Sequence, residues 1–163
     1  MAAFANTHSG DVYLRQTSTL KADPLTGQGV PRYVTFTYTH PSGDDGTGTI
    51  NLGILPAGLI RIYPDNSRLV TSQHGTSATI SIGYAAYVDA VTGLTVAAST
   101  AALHSAGASG AGALDLALGA PADGATGLEV NTRDGLTIIA TMASGPIEAA
   151  DTIVLRLDIA KVG

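Results

Sequence analysis

The sequence predicts an all-β protein: an antiparallel β-sandwich of jelly-roll type, preceded by an extended N-terminal arm and containing at most one short helix. Three observations carry this reading. β-branched, alternating segments recur at roughly 8 to 12 residue spacing, each closed by glycine, proline or aspartate turn chemistry. The 163 residues suffice for one core and leave little room for a second large domain. Charged residues make up only 13% of the chain, against 20 glycines, 20 threonines and 26 alanines, so small and hydroxyl side chains must cover most of the surface.

The arm comes first. Residues 1–32 carry Arg15, Lys21 and Arg32 against Asp11 and Asp23, a net charge of +1, whereas the remainder carries −6. Pro24, Pro31 and three glycines interrupt scattered apolar residues, which predicts an extended segment without its own core. Such an arm needs a partner to be ordered, and Val12, Tyr13, Leu14, Arg15, Leu20 and Leu25 are its candidate partner contacts. The sandwich domain then occupies residues 33–163.

At residues 33–40 Val34, Phe36 and Tyr38 alternate with Thr35, Thr37 and Thr39, the pattern of a half-buried strand. A turn rich in Gly and Asp follows, then an extended segment that Pro56-Ala57-Gly58 interrupts. Leu59–Tyr63 is a compact strand with Ile60 and Ile62 on one face and Arg61 on the other, and Pro64-Asp65-Asn66 is expected to end it. Residues 67–74 and 77–84 then read as a hairpin about Gly75-Thr76, with Ile80 and Ile82 alternating against Thr79 and Ser81. Between Leu94 and Ala106 the spacing of Val96, Ala97, Thr100, Ala101, Leu103 and His104, with abundant alanine, predicts one or two turns of helix. The Gly- and Ala-rich stretch 106–127 is mostly loop, with a short strand at Leu114–Leu118. Residues 135–143 and 152–160 return to β structure, the latter with Ile153, Leu155, Leu157 and Ile159 inward and Val154, Arg156, Asp158 and Ala160 outward.

Composition excludes several kinds of chemistry. The chain has no cysteine, which removes disulfide scaffolds, thiolate metal sites and cysteine nucleophiles. A net charge of −5 without a basic cluster argues against nucleic-acid binding. Nowhere do 18 apolar residues run together, so no membrane-spanning helix is expected, and no cationic stretch precedes an apolar run at the start as a secretory signal requires. His8, His40, His74 and His104 fall in no metal-ligand spacing; His40 and His74 are expected at strand ends, half solvated, and His104 at a helix end. Asp44-Asp45-Gly46 reads as an acidic turn. Glu129 and Glu148, the two glutamates, cannot be paired across a cleft from sequence, nor can Asp115 and Asp158. Ser109 lacks the strand–turn–helix context of a hydrolase serine. No cofactor is expected. Tyr33, Tyr38, Tyr63, Tyr84 and Tyr87 suit the rim of a core and an interface better than a sugar-stacking platform. The chain is expected not to be an enzyme.

Residues 50–84 run INLGILPAGLIRIYPDNSRLVTS and then SATISIGY, with the acidic Asp89 just beyond. This order resembles the capsid decoration, or cement, proteins of tailed bacteriophages. The resemblance implies a virion protein on the outside of the capsid that stabilises contacts between major capsid protein subunits and associates with itself, as a homotrimer. Low charge, hydroxyl-rich surface and an arm that reaches a neighbour suit that task. A tail or fibre module that binds host glycans is the alternative.

Overall fold

The computed structural model describes residues 32–41, 48–75, 77–108, 115–118, 127–145 and 148–162. Among them are eleven strands and no helix: β1 (Arg32–Thr39), β2 (Gly48–Leu55), β3 (Gly58–Thr71), β4 (Thr79–Tyr84), β5 (Tyr87–Val88), β6 (Thr95–Val96), β7 (Ser99–Ala108), β8 (Asp115–Ala117), β9 (Leu128–Thr132), β10 (Leu136–Ala143) and β11 (Thr152–Lys161). Two antiparallel sheets form a sandwich. The first has the order β1-β11-β3, with β8 and β9 both paired to the far side of β3; the second has the order β2-β10-β4-β7. Strands β1 to β4 alternate between the sheets, and β10 and β11 return to lie inside β2/β4 and β1/β3. That nested return is a jelly roll.

The core follows from alternation. Val34 and Phe36 of β1, Ile60, Ile62 and Leu69 of β3 and the four inward residues Ile153, Leu155, Leu157 and Ile159 of β11 are buried, and they meet Leu52, Ile80, Ile82 and Ile138 of the second sheet. Each such side chain contributes about 1.5–3 kcal/mol on full burial. The expected arm lies outside the described residues apart from Arg32, which begins β1.

Five sequence expectations are corrected. Pro64-Asp65-Asn66 does not end a strand: β3 is one strand of 14 residues. Arg68 stands opposite Arg156 and Tyr63 opposite Asp158, so Pro64–Ser67 form a bulge facing Leu157 alone. Proline can sit there because a bulge leaves its missing N–H out of the ladder. The Ser67 hydroxyl spans the gap, accepting the Asp158 N–H at 2.9 Å and donating to the Tyr63 carbonyl at 2.8 Å.

Residues 67–84 do not make a hairpin. β3 pairs with β11, β8 and β9, and β4 pairs with β10 and β7, so the chain crosses between sheets through a tight turn in which Ala78 N donates to Gly75 O at 2.9 Å.

The helix expected between Leu94 and Ala106 is instead β6 and the edge strand β7. Thr100–Leu103 of β7 oppose Gly83 alone, and Ser105-Ala106 oppose Ser81 alone. Two bulges in ten residues break the two-residue period, and what remains imitates a helical spacing. Glycine is required at position 83, since a Cβ there would collide with the Ser99 carbonyl oxygen and lie 2.6 Å from the Thr100 carbonyl carbon. Ser81 Oγ accepts the Ala106 N–H at 2.9 Å, a second bulge tied by a serine.

Asp158 and Ala160 were expected to face solvent, and both are buried, at 3% and 1% exposure. The β3 bulge is the reason for the former: Asn66 Nδ2 donates to Asp158 Oδ2 at 3.1 Å. His40 and His74 lie just beyond β1 and β3, as expected for strand ends, but they are buried rather than half solvated.

Candidate interaction surface

Charge is divided between the sheets. β2, β10, β4 and β7 contain no Asp, Glu, Lys or Arg. Of the six described lysines and arginines, Arg32, Arg61, Arg68, Arg156 and Lys161 belong to β1, β3 and β11 of the first sheet. Arg133 stands apart in a loop, ion-paired with Asp134 at 3.0 Å.

The outward face of the first sheet is set by register. Across β1, β11 and β3 run three rungs: Tyr33–Asp158–Tyr63, Thr35–Arg156–Arg68 and Thr37–Val154–Val70. The Arg156 guanidinium carbon lies 3.7 Å from the centroid of the Tyr33 ring, a cation–π contact one rung away. Tyr33 is 48% exposed and Val70 38%, two of the four exposed large hydrophobic residues described. Arg68 and Arg156 stand directly opposite each other across β3 and β11. Asp158 of the first rung is buried beneath the bulge, and β8 extends the third rung, with Asp115 standing opposite Val70. Further along β3, Arg61 Nε donates to Glu129 Oε2 at 3.1 Å, which holds the Arg61 guanidinium above its ordinary pKa.

The other two exposed hydrophobics, Val91 at 79% and Leu94 at 69%, flank the tip of the β5–β6 hairpin. Asp89 Oδ1 fixes that tip by accepting the N–H groups of Val91 and Thr92 and the Thr92 hydroxyl, and the Thr92 hydrogen bonds keep its carboxyl below the usual range.

At the opposite end of the first sheet Tyr38 Oη meets His40 Nδ1 at 2.9 Å, and the buried Asp151 accepts from the Ser72 hydroxyl at 3.1 Å and from the Glu148 N–H at 2.8 Å. His74 lies in the same region; burial pushes its imidazole pKa down against the opposing pull of the Asp151 charge. These contacts close the strand ends onto one another through the backbone pairs His40 N–Asp151 O and Ala150 N–His40 O.

Among the expected site residues, Val12, Tyr13, Leu14, Arg15, Leu20, Leu25, His8, Asp44, Asp45 and Ser109 lie outside the described residues. The tyrosines are dispersed: Tyr33 and Tyr63 flank Asp158, Tyr38 is joined to His40, and Tyr84 and Tyr87 pack edge-on with centroids 5.7 Å apart. Glu129 is engaged by Arg61, and Glu148 sits beside Asp151. No cluster of three or more metal-ligating side chains occurs among the described residues. Alternation alone placed Tyr33 and Arg156 outward. That they join Arg68 and Val70 in one patch depends on the β1-β11-β3 register, for which the sequence carries no local signal.

No protein-family profile matches the chain, and no curated protein sequence matches it. Solved structures do. A chain from the capsid of Ralstonia phage GP4 matches with a TM-score of 0.61 at 17% identity, over 83% of this chain and 87% of the other. The likeness is one of fold. A chain from the capsid asymmetric unit of cyanophage Pam1 aligns over 88% of this chain and 93% of its own length at 15% identity, with a TM-score of 0.47.

Proposed function

We propose that the chain is a structural virion protein of a tailed bacteriophage, one that assembles with other capsid proteins. The observation that carries this reading is the jelly-roll likeness to a chain of the Ralstonia phage GP4 capsid, which extends over 83% of this chain and 87% of that one. In its finer form the protein sits on the outside of the shell as a decoration protein, bridges major capsid protein subunits, acts as a homotrimer and performs no reaction. The resemblance of residues 50–84 supports this form, as does a sheet without a formal charge, since interface centres are depleted in charged residues.

Electron cryomicroscopy of the parent particle tests it: density for this jelly roll on the outer face of the capsid is expected, and density confined to the tail would refute capsid decoration. Light scattering of the isolated protein is expected to return three times the 16.4 kDa chain mass. A stable monomer at micromolar concentration would remove the homotrimer.

A further inference from the structure

We infer that the tip of the β5–β6 hairpin, which presents Val91 and Leu94, is an apolar knob that docks into an apolar recess on a neighbouring protein. The inference rests on the proposed virion role, which makes that neighbour a different subunit of the capsid shell.

Three observations converge. First, Val91 and Leu94 are the most exposed large hydrophobic residues among those described, at 79% and 69%, and every residue from Ala90 to Thr95 is exposed. Polar residues and glycine serve such a turn equally well, so two large aliphatic side chains placed there add nothing to the isolated fold.

Second, the tip is held in one conformation. Asp89 N donates to Leu94 O and Gly93 N to Asp89 O, both at 2.9 Å. The Asp89 carboxylate accepts from Val91 N at 3.0 Å, from Thr92 N at 2.7 Å and from the Thr92 hydroxyl at 2.9 Å. The hairpin is in turn tied to the sandwich, because Ala90 N donates to Asn131 O at 3.0 Å and Arg133 N to Val88 O at 2.9 Å. A turn fixed in this way has little backbone freedom left to lose on docking.

Third, the stretch from Tyr84 to Ala98 contains no lysine or arginine, and its one acid, Asp89, serves the turn itself. What it offers a partner is apolar and hydroxyl surface, the composition of an interface centre.

Size and charge select the occupant. A stable interface buries about 800 Å² on each partner. Six residues at a hairpin tip supply only part of that, so two copies meeting tip to tip would not hold together, and the knob acts where other contacts already position the chain, as in a shell. A bilayer fits poorly, since the hairpin lacks the Lys, Arg and Trp with which peripheral segments engage headgroups and the chain carries a net charge of −5.

Two measurements on the full chain test this. In the first, the protein is added back to parent capsids from which it has been removed. A Val91→Ser, Leu94→Ser double variant is expected to weaken rebinding by about tenfold or more, by the same factor at low and high salt because no charge is altered. Asp89→Ala is expected to weaken it by less, and Asp89→Asn, whose amide oxygen still accepts from the turn, to restore it. Circular dichroism establishes that each variant is folded. Rebinding of the double variant at the level of the unaltered protein overturns the inference and leaves the virion role standing. A changed association state of the double variant in light scattering makes the tip a contact between copies and also overturns it. If the unaltered protein itself does not rebind, the virion role falls and the inference with it.

In the second, an Ala90→p-benzoylphenylalanine variant bound to the capsid is irradiated. Cross-linking to a different shell protein is expected; cross-links confined to a second copy of this chain, or none from the bound variant, would overturn the inference. Co-sedimentation of the unaltered protein, but not of the double variant, with vesicles of phosphatidylglycerol and phosphatidylethanolamine would assign the knob to a bilayer instead.

Discussion

Ser67 and Asp158, 91 positions apart in the chain, are joined by a hydrogen bond of 2.9 Å from the Asp158 N–H to the Ser67 hydroxyl, which in turn donates to the Tyr63 carbonyl at 2.8 Å. One side chain thus bridges the Asp158 N–H and the Tyr63 carbonyl where the Pro64–Ser67 bulge interrupts the β3–β11 ladder.

Replacing Ser67 with Ala leaves a buried N–H and a carbonyl without that partner. A loss of about 2 kcal/mol is expected, since an unsatisfied buried polar group costs ~1–3 kcal/mol. Urea unfolding measures it; a midpoint equal to the parent would show that the bulge holds without the hydroxyl.

Gly83→Ala and Gly48→Ala form a matched pair. A Cβ at position 83 meets the Ser99–Thr100 backbone, whereas one at position 48 meets nothing within 4 Å. The former is expected to cost about 3 kcal/mol or more by displacing β7, and the latter less than about 0.5 kcal/mol. Similar melting temperatures for the two variants would mean that β7 does not pass over β4 as described.

Leu157 and Arg156 adjoin on β11 and face opposite ways. Leu157→Asp places an unpaired carboxylate in the core, at several kcal/mol, comparable to the stability of a whole domain. Arg156→Ala removes an exposed cation–π contact and is expected to cost about 0.5 kcal/mol. A Leu157→Asp protein that melts within a few degrees of the parent would reverse the faces of this strand.

Acid is expected to destabilise the fold through His74 and His104, whose pKa values burial pushes below the ordinary value of about 6.5. The unfolded chain therefore takes up protons as pH falls through about 6.5 while the folded chain does not, so stability is full above that pH and declines below it. Thermal melts from pH 7.5 to 5 check the sign. His104→Gln, which cannot gain charge, is expected to flatten the decline; an unchanged slope would exclude His104 as a contributor.

Much of the fold was legible because alternation is a local property. Val34 and Phe36, Ile60 and Ile62, Ile80 and Ile82, and the four apolar residues of β11 all face the core as their two-residue period requires. The absence of charge from four strands can be read as directly, although nothing in those residues says that the four share a sheet. The resemblance of residues 50–84 to phage decoration proteins likewise lies in the sequence, and it supports the virion role proposed above.

Tertiary structure alone decided the departures from period two and the pairings. Pro64-Asp65-Asn66 carries the chemistry of a turn, yet it forms a bulge because β11 runs beside both halves of β3 and keeps them in one ladder. Ala-rich β7 is a strand because β4 supplies the hydrogen bonds that a short isolated helix would have to make by itself. Asp158 is buried because the bulge of β3, 91 and 92 positions away in the chain, reaches it through Ser67 and Asn66. The patch of Tyr33, Arg156, Arg68 and Val70 draws on three strands separated by most of the domain. Periodicity assigns a side chain to a face, but which residue lies beside it on that face is set by long-range strand register, a property of the packed sheets and not of any local stretch of chain.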